Sequence, residues 1–253
     1  MKIDVDKNMI CLLMTATIIP SVSNIITLTD PEIRYEHYKN ALLYAISHYP
    51  LDCIVFCENS GYDLSLLKNT ISHHIPNHLK VEFLSQNSSD QDANRDIGYC
   101  EMTLISKAFE ESLLLKEATY IIKLSGRQCC PSIAEIVKFI KSHHEITVIS
   151  NLTTGLSYSD SRCFAGTHRF FTDYLLPFGD MIDGRYNIWF EHALARAINL
   201  AVSKGERWSL PPKPIIILGQ SGTTGRIYRH NPASYFIRYI NHKLKWYGYG
   251  LIR

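Results

Sequence analysis

The sequence lacks any strong excess of charge and any regular pattern of cysteine pairs. Its 253 residues carry 26 Lys and Arg against 24 Asp and Glu, a formal net charge of +2, so a nucleic-acid partner is not indicated. Seven cysteines are present, an odd number without a CxxC pair, which argues against a disulfide framework or a zinc site. These absences leave a globular protein with mostly buried thiols, long enough to bury a full core.

Long apolar runs are also missing. No stretch approaches the roughly 20 apolar residues that a membrane-spanning helix needs. The opening MKIDVDKNMICLLMTATIIP has Asp4 and Asp6 where a signal peptide would carry positive charge, so its apolar part is interpreted as a first buried strand. The sequence therefore predicts a cytoplasmic protein, with peripheral contact at the cytoplasmic face of a membrane as the alternative.

The chain contains an alternation of short apolar runs and amphipathic segments. Strands are predicted at 9–17, 53–59, 81–85, 120–125, 146–150 and 214–218. Helices are predicted at 30–49, where Asp30 can cap and Pro31 suits the first turn, and at 98–115, 132–143, 168–178 and 187–202. Strands that alternate with helices indicate an α/β fold with a mostly parallel sheet.

The most informative segment is TYIIKLSGRQ, residues 119–128. A buried strand ends at Ser125 and the chain then presents Gly126 and Arg127, at the kind of strand end where α/β proteins bind ligands. The fork of Arg127 suits phosphate oxygens, and Gly126 permits close approach of the backbone. Lys123 adds a second positive charge or snorkels out of the strand. A β-turn with a solvent-facing arginine is the alternative.

With this strand end between two helices, the chain resembles GT-A glycosyltransferases. In particular, it resembles bacterial enzymes of surface-polysaccharide biosynthesis (O-antigen, capsule, lipooligosaccharide) with K-x-[ST]-G-R at this point. The resemblance implies a GT-A-like (Rossmann-like) fold in one catalytic domain, residues 1–253. Its nucleotide-binding half would span about 1–128 and its acceptor half about 129–230, followed by a basic-aromatic tail at 231–253.

The chain departs from that family at the acidic Asp-x-Asp motif, which holds a divalent metal on the donor diphosphate. Ser125-Gly126-Arg127 stands in that slot without a carboxylate. A guanidinium is therefore expected to neutralise the phosphate charge, and the resemblance implies a nucleotide-sugar donor, UDP-sugar by default. Mg²⁺ or Mn²⁺ is not favoured, although Asp160-Ser161 stays open as a displaced metal motif.

The late helix NIWFEHALARAINL offers a general base. Asn187 is predicted to cap it, which places Glu191 near the first turn. In inverting GT-A enzymes an acidic residue in this slot takes the proton from the acceptor hydroxyl, so the resemblance assigns that role to Glu191. His192 is the rival base. A Glu that only favours the helix dipole is the alternative.

A glycine-rich loop, LGQSGTTGRIY at 218–228, follows the last predicted strand. Its backbone N–H groups and hydroxyls can contact an anion, and it is not a Walker A motif. Similar SG-[ST]-x-G runs occur in the enzymes that this chain resembles, where a C-terminal segment closes over the diphosphate. We therefore expect donor contacts from Ser221, Gly222, Thr223 and Arg226. A flexible hairpin is the alternative.

Polar residues at the other strand ends complete the predicted site. Donor or nucleotide contacts are expected from Thr15, Thr17, Glu58, Asn59 and Arg95. Acceptor contacts are expected from Asp160 and Arg162. The polar loop at 85–96 is long enough to be functional.

The tail NHKLKWYGYGLIR combines cations with aromatic residues. Such a composition suits an anionic membrane surface, which an enzyme acting on lipid-linked glycans must reach at the inner membrane. Packing of the aromatic rings on the domain is the alternative.

Together these features predict an inverting, metal-independent glycosyltransferase. It would move a sugar, hexosyl or related, from a nucleotide donor to a hydroxyl of a saccharide or lipid-linked glycan. A nucleotidyltransferase is a second reading, although its glycine-rich loop usually follows the first strand and MTATIIPSVSN has no glycine. A non-catalytic nucleotide- or glycan-binding module is the third, because a degenerate transferase would also lack the acidic motif.

Overall fold

The computed structural model describes residues 9–20, 26–87, 95–153, 155–229 and 231–250. Within these ranges the strands of a central sheet are β1 (Ile10–Ala16), β2 (Cys53–Glu58), β3 (Lys80–Ser85), β4 (Tyr120–Ser125), β5 (Val148–Ile149), β6 (Cys163–Thr167) and β7 (Trp208–Ser209). A separate hairpin consists of β8 (Gly219–Gln220) and β9 (Ile227–Tyr228).

The central sheet is mostly parallel. Its order is β3-β2-β1-β4-β6-β5-β7, and β1 pairs in parallel with both β2 and β4. Only β6, among the described strands of this sheet, runs antiparallel to its neighbours. β1 is buried along its whole length, as expected of a central strand covered on both faces. This architecture confirms the predicted α/β class, a mostly parallel sheet flanked by helices.

Helices cover both faces of the sheet. They are α1 (Pro31–His48), α2 (Ser65–Ser72), α3 (Ile97–Glu111), α4 (Leu113–Glu117), α5 (Ile133–Ser142), α6 (Phe190–Ser203) and α7 (Pro232–Gly250). Alternate residues of β1 point to opposite faces, so Leu12 joins the core under α1, α2 and α5, and Leu13 joins the core under α3 and α6. Of the described helices, none is both long enough and apolar enough to cross a membrane.

The start of α1 follows its predicted capping pattern. The carboxylate of Asp30 accepts hydrogen bonds from the backbone N–H groups of Glu32 and Ile33, at 2.8 and 3.2 Å. Pro31 occupies the first helical position, where its missing N–H costs no hydrogen bond. Local sequence therefore determines where this helix begins.

The C-terminal third departs from the predicted elements. The segment 214–218 is not a strand. The Ser132 hydroxyl donates to the Pro214 carbonyl and accepts from the Ile216 N–H, and Leu218 forms an isolated bridge with Cys129. The predicted helix at 168–178 is a π-helix, Phe170–Leu175, followed by a 3₁₀ helix, Leu176–Met181. The described part of the predicted tail is the helix α7.

Candidate active site

A cavity lies at the carboxyl ends of β1, β2 and β4. It encloses about 780 Å³, a size suited to a small-molecule ligand. Of the residues predicted from the sequence, it is lined by Thr17, Asn59, Ser125, Arg127, Asp160, Arg162, Glu191, Ser221, Gly222 and Thr223. The fold thus brings the front of the chain, the strand end at 125–127, the start of α6 and the glycine-rich loop to one place.

Arg127 reaches this cavity from the tight turn that follows β4. The Gly126 N–H donates to the Thr15 carbonyl at 2.9 Å, and a Cβ at Gly126 would stand 2.6 Å from that oxygen. Gly126 is therefore required by packing against the end of β1. The Arg127 guanidinium lies 5.7 Å from the ring centre of Tyr38. Its Nη1 is buried, and among the described residues it has no hydrogen-bond partner.

The glycine-rich loop packs directly on that guanidinium. A Cβ at Gly222 would stand 2.1 Å from Nη2 of Arg127, so any larger residue there would displace the guanidinium. The Gly222 carbonyl accepts from the N–H groups of Thr27 and Leu28, at 3.0 and 3.2 Å. The loop is thereby fixed to the segment that follows β1. We call Arg127 together with residues 221–223 the arginine wall.

Arg226 lies outside this wall. Its side chain is exposed, and it is not among the residues that line the cavity. Its carbonyl accepts a hydrogen bond from the Ser221 N–H at 2.8 Å. The observed role of Arg226 is therefore to close the loop through its backbone.

A second arginine, Arg34 of α1, lies under the cavity and was not predicted from the sequence. Its Nε donates to the Thr17 carbonyl at 2.7 Å and its Nη1 to the Leu28 carbonyl at 2.9 Å. Burial is the main cause that lowers the pKa of Arg34, and the charge of Arg127 acts in the same direction. Burial, followed by the charges of Arg127 and Arg34, also lowers the pKa of His37. This corner of the cavity therefore favours an anion.

The ends of β1 and β2 contribute a polar edge. The Thr17 hydroxyl donates to Oδ1 of Asn59 at 2.6 Å, and the Thr17 N–H donates to the Tyr38 hydroxyl at 2.8 Å. Glu58, by contrast, is fully buried. Its carboxylate accepts from the N–H groups of Ile18, Ser60 and Tyr62 at 2.9 to 3.0 Å. Glu58 therefore holds the two loops together, while Thr17 and Asn59 face the cavity.

Lys123 is enclosed beneath the cavity. Its side chain is 0% exposed, and its Nζ lies 2.7 Å from Oε1 of Glu101, which is 22% exposed. The same Nζ donates to the Ser161 carbonyl at 2.8 Å, and the Thr15 hydroxyl donates to Glu101 at 2.6 Å. We call Thr15, Glu101, Lys123 and Ser161 the floor network. Thr15 and Lys123 thus contact protein groups in the structure.

Glu191 stands between the floor network and the cavity. It occupies the first turn of α6, as predicted, and it lines the cavity. Its Oε1 accepts a hydrogen bond from the Ser161 hydroxyl at 2.7 Å. Tyr158 lines the cavity nearby, and its pKa is raised first by burial and then by the charge of Glu191. Glu191 is therefore a held carboxylate that reaches the cavity.

His192, the other residue predicted as a general base, is engaged at the start of α6. Its Nδ1 accepts a hydrogen bond from the Trp189 N–H at 3.1 Å and so caps the start of α6. Asn187, the predicted cap, instead adopts a left-handed conformation with φ of 56°. His192 is not among the residues that line the cavity, whereas Glu191 is.

Asp160 and Arg162 line the cavity as a closed pair. Nε and Nη2 of Arg162 donate to the two oxygens of Asp160, at 2.8 and 2.5 Å. The hydrogen bond to Asp160 is the first cause that raises the pKa of Arg162. The guanidinium also lies 5.3 Å from the Tyr228 ring centre. The pair is therefore positioned to present its outer edge to a polar ligand.

The carboxylates in the cavity do not form a good metal site. Asp160 is bound by Arg162, and Glu191 accepts from Ser161. Across the described ranges, no group of three or more His, Cys, Asp or Glu side chains stands close enough to hold a metal ion. The donor set that surrounds the cavity thus does not fit the metal that the GT-A resemblance implies.

Arg95 lies outside the cavity. Its Nη2 donates to the carbonyls of Asp180 and Ile182, at 2.5 and 3.2 Å. Its guanidinium stacks 3.9 Å from the ring centre of Tyr99. These contacts tie the start of α3 to the 3₁₀ segment before α6. Of the predicted loop at 85–96, residues 88–94 lie outside the described part of the chain.

No protein-family model and no curated protein matches this sequence. Among solved structures, it is similar to the glycosyltransferase GlyE of Streptococcus pneumoniae, with 6% identity, a TM-score of 0.49, and coverage of 81% of this chain and 45% of that one. S. aureus TarS, solved in complex with UDP, shows 12% identity, a TM-score of 0.43, and coverage of 82% and 59%.

A cytidylyltransferase from Leptospira borgpetersenii is also similar, with 12% identity, a TM-score of 0.43, and coverage of 81% of this chain and 76% of that one. These neighbours include both glycosyl- and nucleotidyltransferases. At such identities and TM-scores, the function of this chain has to be inferred from the geometry of its own site.

Proposed function

We propose that this chain is a glycosyltransferase that uses a nucleotide-sugar donor and a hydroxyl acceptor. One observation carries the proposal. A single cavity at the carboxyl ends of the parallel strands is lined by an arginine with an open hydrogen-bond donor, Arg127, and by a held carboxylate, Glu191. A group for the leaving anion and a group for the proton are the two requirements of this reaction.

The arginine wall is the proposed site of the diphosphate. Nη1 of Arg127 is buried without a partner among the described residues, and a buried donor of this kind is costly unless a ligand satisfies it. Arg34 lies close enough to Arg127 for the two positive charges to interact. We propose that the nucleoside lies toward Thr17 and Asn59 at the ends of β1 and β2.

Glu191 is the proposed general base. The acceptor oxygen would attack the anomeric carbon while its proton passes to the carboxylate of Glu191. The bond from that carbon to the diphosphate would break, and the nucleoside diphosphate would leave toward Arg127. The product would have inverted configuration. Ser161 donates to Glu191 at 2.7 Å and would orient the carboxylate for this step.

The proposed acceptor is a saccharide or a lipid-linked glycan of a bacterial surface polysaccharide. Asp160 and Arg162, with Tyr158 beside Glu191, are the polar groups of the cavity available to sugar hydroxyls. The proposed donor is a UDP-sugar. Because the carboxylates of the cavity are held by Arg162 and Ser161, transfer is expected to need no divalent metal.

Calorimetric binding of UDP, GDP, CDP and CMP, each with manganese and again with EDTA, tests this proposal. We expect one nucleoside diphosphate to bind equally well in EDTA, and its sugar donors to be consumed when glycan acceptors are added. Binding only with manganese would remove the proposed role of Arg127 and make Asp160 the next candidate ligand.

The same screen separates the other readings. Binding without donor turnover or hydrolysis across many sugars would indicate a non-catalytic module. Release of pyrophosphate from a nucleoside triphosphate and a sugar phosphate would indicate a nucleotidyltransferase. No binding of any nucleotide would overturn the proposal.

A further inference from the structure

Helix α7 presents an apolar stripe to solvent. The stripe consists of five side chains, Phe236, Ile237, Ile240, Leu244 and Tyr247, which are 62, 62, 44, 65 and 70% exposed. At 3.6 residues per turn these positions fall within about 100° of arc around the helix. Five large apolar side chains together on one exposed face are not the scattered pattern of an ordinary surface.

The opposite face of α7 is fixed to the body of the protein. Nε2 of His242 lies 2.6 Å from the Pro211 carbonyl, and Nε1 of Trp246 donates to the same oxygen at 2.9 Å. The Trp246 ring also contacts Phe139 of α5 edge-on, with the ring centres 6.0 Å apart. Since these contacts set the rotation of the helix, the apolar stripe is held outward.

Charge is unevenly distributed along the sequence, and the cationic C-terminal part favours an anionic partner. Glu206 is the last carboxylate side chain, and the 47 residues after it contain eight Lys and Arg. The first 206 residues carry the remaining 18 cations against all 24 Asp and Glu. On α7 itself, Lys243 is adjacent to one edge of the stripe, while Arg238 and Lys245 lie beyond the other edge.

We propose that α7 docks on an anionic lipid bilayer, with the apolar stripe inserted at the interface and the flanking cations on the lipid headgroups. An exposed apolar face bordered by Lys and Arg, with no acidic residue, is the pattern of an interfacial helix. A second copy of the chain is disfavoured, because a symmetric contact through α7 would bring two cationic segments together. The inference is independent of the proposed chemistry.

Co-sedimentation with vesicles tests the proposal, using phosphatidylcholine alone and phosphatidylcholine mixed with phosphatidylglycerol. We expect the full chain to bind the mixed vesicles only. The double variant Phe236→Ser/Leu244→Ser should weaken this binding by about 100-fold, since it removes two inserted side chains. The matched control is Leu66→Ser/Leu113→Ser, which alters two side chains of similar exposure elsewhere and should bind like the unchanged chain.

A charge variant keeps the test independent of the apolar stripe. Lys243→Glu/Lys245→Glu should weaken binding by more than about tenfold. The control Lys141→Glu/Lys204→Glu, which changes one lysine of α5 and the residue that follows α6, should not. Circular dichroism verifies that each variant is folded. No binding to mixed vesicles, or equal loss in the control pairs, would overturn the proposal. A dimer that forms without lipid and that Phe236→Ser/Leu244→Ser dissociates would also overturn the proposal.

Discussion

Lys123 near the end of β4 and Arg127 in the turn that follows are four residues apart, but their side chains have different surroundings. Lys123 lies in the floor network, where Glu101 and the Ser161 carbonyl accept from its ammonium group. Arg127 lies in the arginine wall, where Nη1 has no partner among the described residues and Gly222 leaves space for the guanidinium. One cation is satisfied inside the protein, and the other has a donor without a partner among the described residues.

This contrast separates a structural charge from a binding charge. A buried ammonium group needs a paired carboxylate to be tolerated, and Glu101 supplies it. A buried N–H group without a partner, such as Nη1 of Arg127, is a cost in the free protein, which an anionic ligand would remove. The floor network contacts Ser161, which in turn donates to Glu191. We propose that the arginine wall is the site that a ligand completes.

The largest expected effect comes from the carboxylate that the floor network holds. Glu191→Gln keeps the size of the side chain and can still accept from Ser161, but an amide cannot take the acceptor proton. We expect turnover to fall by about 10² to 10⁴, with nucleotide affinity unchanged. Steady-state kinetics and calorimetry on the same variant measure both quantities.

Ser161→Ala is the matched control for that variant, because it removes only the hydrogen bond that orients Glu191. Turnover should then fall less than in Glu191→Gln. Normal turnover in Glu191→Gln would exclude Glu191 as the base.

The next effect concerns stability. Lys123→Met removes the buried ammonium group and leaves Glu101 without its cation. We expect the free energy of unfolding to fall by about 3 kcal/mol, at the lower end for a broken buried pair because Glu101 is partly exposed. Urea denaturation of the variant and of the unchanged chain measures the difference.

The double variant Lys123→Met/Glu101→Gln sharpens this prediction, because it removes both charges. It should recover part of the lost stability. If Lys123→Met were as stable as the unchanged chain but lost nucleotide binding, Lys123 would belong to the binding site and the contrast with Arg127 would fail.

The smallest of these effects comes from the glycine that faces Arg127. Gly222→Ala places a Cβ where Nη2 now stands, at 2.1 Å, so the guanidinium must move. Because the end of a flexible side chain can shift, stability should change little while nucleotide affinity falls by roughly tenfold. Gly155→Ala is the control, since its Cβ would have no neighbour closer than 3.7 Å.

Combining Gly222→Ala with Arg127→Ala tests whether the two act together. Once the guanidinium is absent, the added methyl group should cause no further loss of affinity. Additive losses would mean that Gly222 contacts the nucleotide independently of Arg127.

The sequence was sufficient where local chemistry decides the structure. The buried run of β1, the Asp30-Pro31 start of α1 and the turn that presents Arg127 all follow from neighbouring residues. Contacts between residues distant in the chain could not be predicted from the sequence. Lys123 meets Glu101 from a helix 22 residues earlier, and Glu58 binds three backbone N–H groups of two loops. Both side chains look like ligand contacts until those partners are seen.

Arg34 shows the converse, a residue of the site that the sequence did not reveal. It sits among the apolar and aromatic residues of an amphipathic helix, where an arginine is usually a surface residue. Its hydrogen bonds go to carbonyls of the chain after β1. Only the packing of α1 on those loops could show that this arginine is buried under the cavity.

The most direct test of the central claim is the affinity of Arg127→Ala for nucleoside diphosphates and for the matching nucleosides, measured by calorimetry in EDTA. UDP, GDP and CDP are compared with uridine, guanosine and cytidine, and Arg226→Ala is the control from the exposed part of the same loop. If Arg127 holds the diphosphate, Arg127→Ala should lose about 10- to 100-fold in diphosphate affinity and nothing in nucleoside affinity, while Arg226→Ala should lose neither. Unchanged diphosphate binding in Arg127→Ala would contradict the claim.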